Sequence, residues 1–246
     1  MLIGASLKMY FSHARTVAWV SEVAALVAAH PARSAVTAFV IPQYPSIPAA
    51  LERAGDLLVG AQDVAAEDSG AFTGEVSAAV LAELGCRFVE VGHAERRRMF
   101  GDTDAVVAAK THAAIRNGLV PIVCVGESER VDAASAASAC IEQIRFALGA
   151  ADEAGVAGEV VIAYEPLWAI GAPAPAGDDH IRGVCTRLRA HLSAGERPAR
   201  VIYGGSAGPG LLTRISDSVD GLFLGRFAHE PGAVRDILDE VGALTA

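Results

Sequence analysis

Eight short apolar segments recur along the chain, separated by alanine-rich stretches whose apolar residues follow helical spacing. The segments cover residues 2–6, 35–40, 57–62, 87–92, 119–126, 159–165, 200–205 and 221–225. The intervening stretches ARTVAWVSEVAALVAA (14–29) and GAVRDILDEVGAL (232–244) are typical of amphipathic helices. Strands and helices are therefore expected to alternate along the whole chain.

This alternation predicts an α/β fold in which parallel strands are joined by crossover helices. Eight strand–helix units favour closure into a (βα)8 barrel of eight parallel strands over the alternative, a doubly wound open sheet. A length of 246 residues is typical of one such barrel. Since no linker or low-complexity block divides the sequence, we expect a single domain over residues 1–246.

The charge of the chain argues against a polyanionic partner. The formal net charge is −9 and the isoelectric point is about 5.2, which leaves no basic face for nucleic acid or an anionic membrane. The N-terminus does not resemble a leader, and no run reaches the roughly 18 apolar residues of a spanning helix. We therefore expect a cytoplasmic protein without nucleic-acid or membrane partners.

The four cysteines show neither a CxxC pair nor the spacing of a zinc site: Cys86, Cys124, Cys140 and Cys185. In an intracellular chain of this size they are expected to be reduced, buried thiols. No metal site is predicted from them.

The residues that follow each strand of a parallel barrel converge on one mouth, where catalytic groups usually lie. Here these positions hold a cation, an imidazole, carboxylates and glycine turns: Lys8, His93, Glu95, Gly126, Glu127, Glu165, residues 204–206 and residues 225–226. These groups are therefore predicted to share one rim.

Glu165 is the one carboxylate in the apolar run VVIAYEPLWAIG (160–171). An unpaired carboxylate in such a setting is costly, so Glu165 is either a structural ion-pair partner or held at a cavity where its basicity is used. A position of low dielectric would raise that basicity and suit the group to removing a proton from carbon.

Two further rim residues could stabilise negative charge on a substrate that contains a carbonyl group. His93 lies where a helix starts, which would keep the ring neutral and able to polarise a carbonyl; a capping or core histidine is the alternative. Lys8 would place a positive charge near a substrate anion or developing oxyanion, unless it is a solvated surface lysine. Glu95 is expected to anchor the helix start and the charges around Lys8.

Glycine-rich segments follow the last three strands. YGGSAG (203–208) and LGR (224–226) are compatible with simple turns, but the loops after strands seven and eight of such barrels recurrently bind phosphate. AIGAPAPAG (169–177), just after Glu165, has the small residues and length of a lid, with an ordinary surface loop as the alternative.

Five motifs, in order along nearly the whole chain, resemble those of the triosephosphate isomerase family. They are GAFTGEVS (70–77), VEVGHAERRRMFGDTD (89–104), VCVGES (123–128), AYEPLWAIG (163–171) and YGGS (203–206). The resemblance implies a TIM barrel and an isomerase that moves a carbonyl between adjacent carbons of a short sugar phosphate. For glyceraldehyde 3-phosphate and dihydroxyacetone phosphate, this is a reaction of glycolysis.

The resemblance also implies roles for individual residues. Glu165 would transfer the proton, His93 would polarise the carbonyl, and Lys8, supported by Glu95, would stabilise charge electrostatically. Phosphate would be bound by three loops, through Gly171, Ser206, Gly225 and Arg226. Thr73 matches the tip of a loop that reaches into a neighbouring subunit's site, which implies a homodimer. No metal or organic cofactor is required for this route.

Three departures from the family pattern concern substrate fit. In SLKMY (6–10), Ser6, Leu7 and Tyr10 replace the usual Asn, Trp and Asn. The Asn matched by Ser6 lies by the reacting end of the substrate, so the serine removes a hydrogen-bond donor and opens space. The lid tip is GAPAPAG, unlike the family's Gly-Thr-Gly-Lys type, and Arg226 replaces a glycine, which adds charge near the phosphate or reshapes its cradle.

These departures leave two alternatives beside the three-carbon substrate. In the first, the same chemistry acts on L-erythrulose 1-phosphate and D-erythrulose 4-phosphate, and Ser6 makes room for the added hydroxymethyl group. In the second, the barrel binds a sugar phosphate without catalysis. Retention of Lys8, His93 and Glu165 counts against the second alternative, because a pure binder needs no base.

Overall fold

Eight parallel strands close into a barrel in the computed structural model, which describes residues 1–245. The strands are β1 (Leu2–Ser6), β2 (Thr37–Ile41), β3 (Leu58–Ala61), β4 (Phe88–Val91), β5 (Val120–Val125), β6 (Val160–Tyr164), β7 (Ala199–Tyr203) and β8 (Gly221–Leu224). Each strand pairs with the next, and β8 pairs with β1. The predicted (βα)8 barrel is confirmed, and the alternative of an open sheet is wrong.

The helices follow the strands in the predicted alternation. Those in residues 1–245 are α1 (His13–Ala29), α2 (Ile47–Arg53), α3 (Ala78–Leu84), α4 (Ala94–Phe100), α5 (Asp104–Arg116), α6 (Ala133–Glu153), α7 (Asp178–Ser193), α8 (Leu212–Ile215) and α9 (Pro231–Thr245). Over the same residues, none of them combines the length and the apolarity that a bilayer-spanning helix requires.

Local sequence determines where several helices begin and end. The Ser12 side chain accepts a hydrogen bond from the Arg15 N–H at the start of α1, and Thr103 and Asp132 cap α5 and α6 in the same way. Gly101 ends α4 in the left-handed conformation, at φ 78°. These caps fix where the helices begin and end.

Aromatic residues fill the interior of the barrel below the strand ends. Phe39 packs against Phe88 and Phe223, with ring centroids 4.5 and 5.8 Å apart. Gly4 faces the same ring so closely that a Cβ atom would lie 1.9 Å from Cζ of Phe39. Because alternate residues of a strand share one side, Glu90 faces the interior like Phe88, one layer closer to the strand ends.

Strand boundaries differ from the predicted ones by one or two residues. The segment 35–40 becomes a strand only at Thr37, because Pro31–Ala35 forms a 3-10 helix. The segment 200–205 ends as a strand at Tyr203, where two glycines and Ser206 turn the chain. The number and order of the strands are as predicted.

Candidate active site

A cavity of about 880 Å³ opens at the carboxyl ends of the strands. Its lining contains most of the residues singled out in the sequence: Ser6, Lys8, His93, Glu95, Glu165, Gly171, Ser206, Gly225 and Arg226. Glu90, which the sequence analysis did not single out, lines it as well. Gly126 and Glu127 were expected at the rim but are not part of this lining. The Gly126 N–H donates to Gln143 in α6, and Glu127 accepts a hydrogen bond from Trp168.

Glu165 leaves β6 with one carboxylate oxygen free of partners. Its backbone N–H donates to Val125 O at 2.8 Å, and the residue is only 7% exposed. Gly204 lies against Oε1, where a Cβ atom would come within 2.3 Å. Oε2 is buried and makes no hydrogen bond with residues 1–245. A buried oxygen without a donor is available to take a proton from a ligand.

His93 caps α4 with one ring nitrogen and faces the cavity with the other. The backbone N–H of Glu95 donates to Nδ1 at 3.1 Å. Because a backbone N–H can only donate, the neutral ring carries its proton on Nε2. Nε2 lies 3.7 Å from Oε2 of Glu165, which is too long for a hydrogen bond. His93 is therefore a helix cap that also presents an N–H donor beside Glu165.

Lys8 is held in a fixed position beside Glu95. Its backbone is in the left-handed region, at φ 45°, and its carbonyl accepts a hydrogen bond from Gln62 at 2.8 Å. Its Nζ lies 2.8 Å from Oε1 of Glu95. Burial favours the neutral amine, but the hydrogen bond and charge of Glu95 outweigh it and raise the Lys8 pKa. The predicted link between Lys8 and Glu95 is present and keeps a cation at the cavity.

Ser6 and Glu90 form a buried polar pair at the inner end of the cavity. The Ser6 hydroxyl donates to Oε2 of Glu90 at 3.0 Å, and the Cys124 thiol lies 3.8 Å from Oε1. Glu90 is only 3% exposed. Burial is the main cause that raises the Glu90 pKa, and the negative charge of Glu165 adds to it, against the opposing effects of the Lys8 charge and the Ser6 hydrogen bond. The carboxyl group is therefore biased toward its neutral, protonated form.

The sequence contains the signal that would have identified Glu90. It is the one carboxylate in the apolar run RFVEVG (87–92), just as Glu165 is in its own run. The cost of burying an unpaired carboxylate applies equally to both residues. Glu90 lies within β4 and not beyond its end, so the convergence of strand ends does not predict it.

The loop between β6 and α7, residues 165–177, lies against the turn after β7. The Ser206 hydroxyl is 2.8 Å from Ala169 O and 3.0 Å from Ala172 O. Tyr203 accepts a hydrogen bond from the Ala176 N–H at 3.0 Å through its hydroxyl. These contacts place the loop at the cavity, whose lining includes residues 170–173, and its action as a lid stays a prediction.

Arg226 reaches the lid through its side chain. Its Nη2 donates to the carbonyl of Gly171 at 3.0 Å, and both residues line the cavity. Gly171 itself is at φ 73°, a conformation that favours glycine. Arg226 thus joins the eighth turn to the lid, a contact that the sequence analysis did not anticipate.

The base of the lid is fixed by Glu127, which is buried. Its carboxylate accepts hydrogen bonds from Tyr164 at 3.1 Å and from Trp168 Nε1 at 2.9 Å. The His180 ring lies 3.3 Å away. Arg130 stacks over the Trp168 ring at 4.5 Å from its centroid. Glu127 therefore positions the first residues of the lid.

Thr73 lies apart from the cavity, on the exposed loop between β3 and α3. The four cysteines are free and buried, which confirms the prediction of unpaired thiols. Within residues 1–245, no group of three or more histidine, cysteine or acidic side chains is arranged to hold a metal ion.

The sequence of this chain is similar to those of sugar-phosphate isomerases. The family model described as triosephosphate isomerase matches residues 1–241. An L-erythrulose-1-phosphate isomerase of Pectobacterium atrosepticum is 48% identical over 100% of this chain and 97% of its own. A triosephosphate isomerase of Rhodococcus jostii is 42% identical over 91% of this chain and 90% of its own.

Proposed function

The chain belongs to the triosephosphate isomerase family and is a sugar-phosphate isomerase, and from this premise we propose that its substrate is a four-carbon ketose phosphate. The 48% identical relative is named for L-erythrulose 1-phosphate, and we assign the same compound to this protein. Moving its carbonyl by one carbon gives D-erythrulose 4-phosphate.

The proposed reaction moves one proton between two inner carbons. L-erythrulose 1-phosphate carries its phosphate on C1, its carbonyl at C2 and hydroxyl groups on C3 and C4. Glu165 removes the proton from C3, which gives a 2,3-enediol, and returns a proton to C2. The oxygen on C3 loses its proton as the oxygen on C2 gains one, so the carbonyl ends at C3. The isomerisation therefore needs no oxidant, reductant or cofactor.

His93 and Lys8 stabilise the charge that develops on oxygen in this scheme. His93 donates from Nε2 to the carbonyl oxygen, an assignment supported by the Glu95 N–H that occupies Nδ1. Lys8 contributes its fixed positive charge, with Glu95 as a positioning residue. The phosphate is assigned to the lid and the last two turns, at Gly171, Ser206, Gly225 and Arg226.

The observation that carries the four-carbon proposal is the short side chain of Ser6 in the cavity wall. Its hydroxyl is bonded inward to Glu90 at 3.0 Å. An asparagine at this position would extend its amide further than the serine hydroxyl. The wall beside the reacting carbons therefore has room for one more hydroxymethyl group.

The three-carbon pair, glyceraldehyde 3-phosphate and dihydroxyacetone phosphate, is the second candidate. It is favoured by the 42% identical relative, which is a triosephosphate isomerase. Lys8, His93 and Glu165 would serve both substrates in the same way. Only under this candidate would the protein act in glycolysis.

We further propose that the protein is a cytoplasmic homodimer. Large apolar side chains are exposed near the site and on the Thr73 loop, among them Met9 at 84%, Tyr10 at 54% and Phe72 at 45%. A second copy seated on this surface would cover them and bring Thr73 toward the partner's site. Light scattering of the purified protein tests the proposal: a mass of two chains supports it, and a mass of one chain contradicts it.

The substrate is tested by measuring kcat/KM for L-erythrulose 1-phosphate and for glyceraldehyde 3-phosphate with the same purified protein. The proposal predicts the higher value for the four-carbon substrate. Glu165→Gln, purified in parallel, controls for contaminating host isomerases because it lacks the proposed base. A higher value for glyceraldehyde 3-phosphate would instead identify a triosephosphate isomerase.

A further inference from the structure

Glu90 occupies an inward-facing position in a barrel whose other interior side chains are mainly apolar. It shares the inner side of β4 with Phe88, which packs on Phe39 at 4.5 Å. It also lines the cavity that contains His93 and Glu165. Glu90 thus stands one layer below the groups that are proposed to transfer the proton.

The contacts of Glu90 leave much of its hydrogen-bonding capacity unused. Oε2 accepts one hydrogen bond from Ser6, and the one partner of Oε1 within residues 1–245 is the Cys124 thiol at 3.8 Å, a weak donor. Two carboxyl oxygens accept about four hydrogen bonds, and a protonated carboxyl also donates one. The group is therefore able to pair with a ligand hydroxyl, both as donor and as acceptor.

A purely structural role does not account for Glu90. No ion pair with Lys, Arg or His compensates its burial among the described residues, and the hydrogen bond to Ser6 is the one ordinary hydrogen bond of its side chain there. A buried carboxyl with so few partners costs free energy that an apolar side chain would not cost. A ligand hydroxyl in the cavity would supply the missing partner.

The backbone of Glu90 lies on the strand opposite the proposed phosphate site, and its side chain reaches inward to Ser6 of β1. In the ring of eight strands, β4 lies opposite β8, whose end carries Gly225 and Arg226. A ligand with its phosphate at that end extends across the reacting pair, His93 and Glu165. Its far end then lies toward Glu90.

We infer that Glu90 is a specificity-determining residue: its carboxyl group, together with the Ser6 hydroxyl, binds the hydroxymethyl group beyond the reacting carbons of a four-carbon sugar phosphate. This inference rests on the proposed four-carbon substrate. A three-carbon substrate ends before this pair and leaves it without a ligand partner.

The test is the ratio of kcat/KM for L-erythrulose 1-phosphate to that for glyceraldehyde 3-phosphate in Glu90 variants. Glu90→Leu is expected to lower the ratio by about 5- to 150-fold, the loss expected when the partner of one buried hydroxyl is removed. Glu90→Gln keeps a donor and an acceptor and is expected to lower the ratio by less than about 10-fold. Glu90→Ala adds no bulk and tests the same point if the leucine variant does not fold.

Cys124→Ala is the matched control, because it disturbs the same interior layer and touches the same carboxyl without removing it. The ratio is expected to stay close to that of the wild type. An equal loss in Cys124→Ala and Glu90→Leu would assign the effect to packing and overturn the inference. An equal loss on both substrates in Glu90→Leu would overturn it as well.

A binding measurement separates this inference from the proposed reaction. Isothermal titration calorimetry compares glycerol 3-phosphate with a four-carbon tetritol phosphate, neither of which reacts. Tighter binding of the tetritol phosphate that Glu90→Leu loses supports the inference, even if L-erythrulose 1-phosphate is not turned over and the proposed function fails. A wild-type protein that shows no such preference, or a variant that retains it, overturns the inference while leaving turnover as a separate question.

Discussion

Nε2 of His93 lies 3.7 Å from Oε2 of Glu165, and this oxygen has no hydrogen-bond partner within residues 1–245. Because Nδ1 of His93 already accepts a hydrogen bond from the backbone, Nε2 carries the donor proton. A donor and a free acceptor thus stand side by side in one cavity. A small ligand placed against both would meet an acid at its oxygen and a base at its carbon.

The variant Glu165→Asp tests whether turnover depends on the length of the side chain that carries the proposed base. We expect Glu165→Asp to fold normally and to lose about 100-fold in kcat, because the carboxylate withdraws by about one carbon–carbon bond from the carbon it must reach. Steady-state kinetics with the preferred substrate and circular dichroism check the two parts of the prediction. An unchanged kcat would remove Glu165 from its role.

The variant His93→Gln tests whether His93 polarises the substrate carbonyl. The amide retains a donor but is a poorer match to charge developing on the carbonyl oxygen, so kcat should fall by about 100- to 1,000-fold with a smaller rise in KM. Separate determination of kcat and KM checks this. A change confined to KM would make His93 a binding group.

Space at the reacting end is tested by Ser6→Asn. The longer amide would fill the room proposed for the fourth carbon, so kcat/KM for L-erythrulose 1-phosphate should fall about 10- to 200-fold more than for glyceraldehyde 3-phosphate. Ser6→Ala is the control for the hydroxyl alone, since it adds no bulk. Comparable losses on both substrates in Ser6→Asn would contradict the role of this space.

A buried charge cluster around Lys110, which lies outside the site, contributes to the stability of the fold. Its Nζ lies 2.8 Å from Asp63 and 3.0 Å from Asp102, and all three residues are buried. Lys110→Met leaves two buried carboxylates without this cation and should lower the free energy of unfolding by about 3 to 5 kcal/mol. Urea unfolding measures the change, and Arg182→Ala, at an exposed pair, should cost about 1 kcal/mol or less.

An effect of Lys110→Met no larger than that of Arg182→Ala would mean that Arg96, which lies 2.8 Å from Asp63 and 3.1 Å from Asp102, compensates both carboxylates alone. Turnover of the folded variant should change little, because Lys110 does not line the cavity.

The barrel and most of its rim were predictable because convergence of strand ends is a property of the topology. Lys8, His93 and Glu165 each follow a strand, so their assembly required only the order of strands. Glu90 was not predicted because it lies within β4 and not beyond its end, although the single carboxylate in the run RFVEVG marks it in the sequence. The hydrogen bond between Trp168 and Glu127 at the base of the lid joins side chains 41 residues apart. No local sequence pattern indicates such a contact.

The most direct test of the account is nuclear magnetic resonance of L-erythrulose 1-phosphate with the purified protein in D₂O. We expect conversion to D-erythrulose 4-phosphate, with deuterium appearing on the former C2 because the proton held by Glu165 exchanges with solvent. Glu165→Gln should show neither conversion nor exchange. If the wild-type protein isomerises glyceraldehyde 3-phosphate but leaves L-erythrulose 1-phosphate unconverted and without deuterium, the four-carbon account is contradicted.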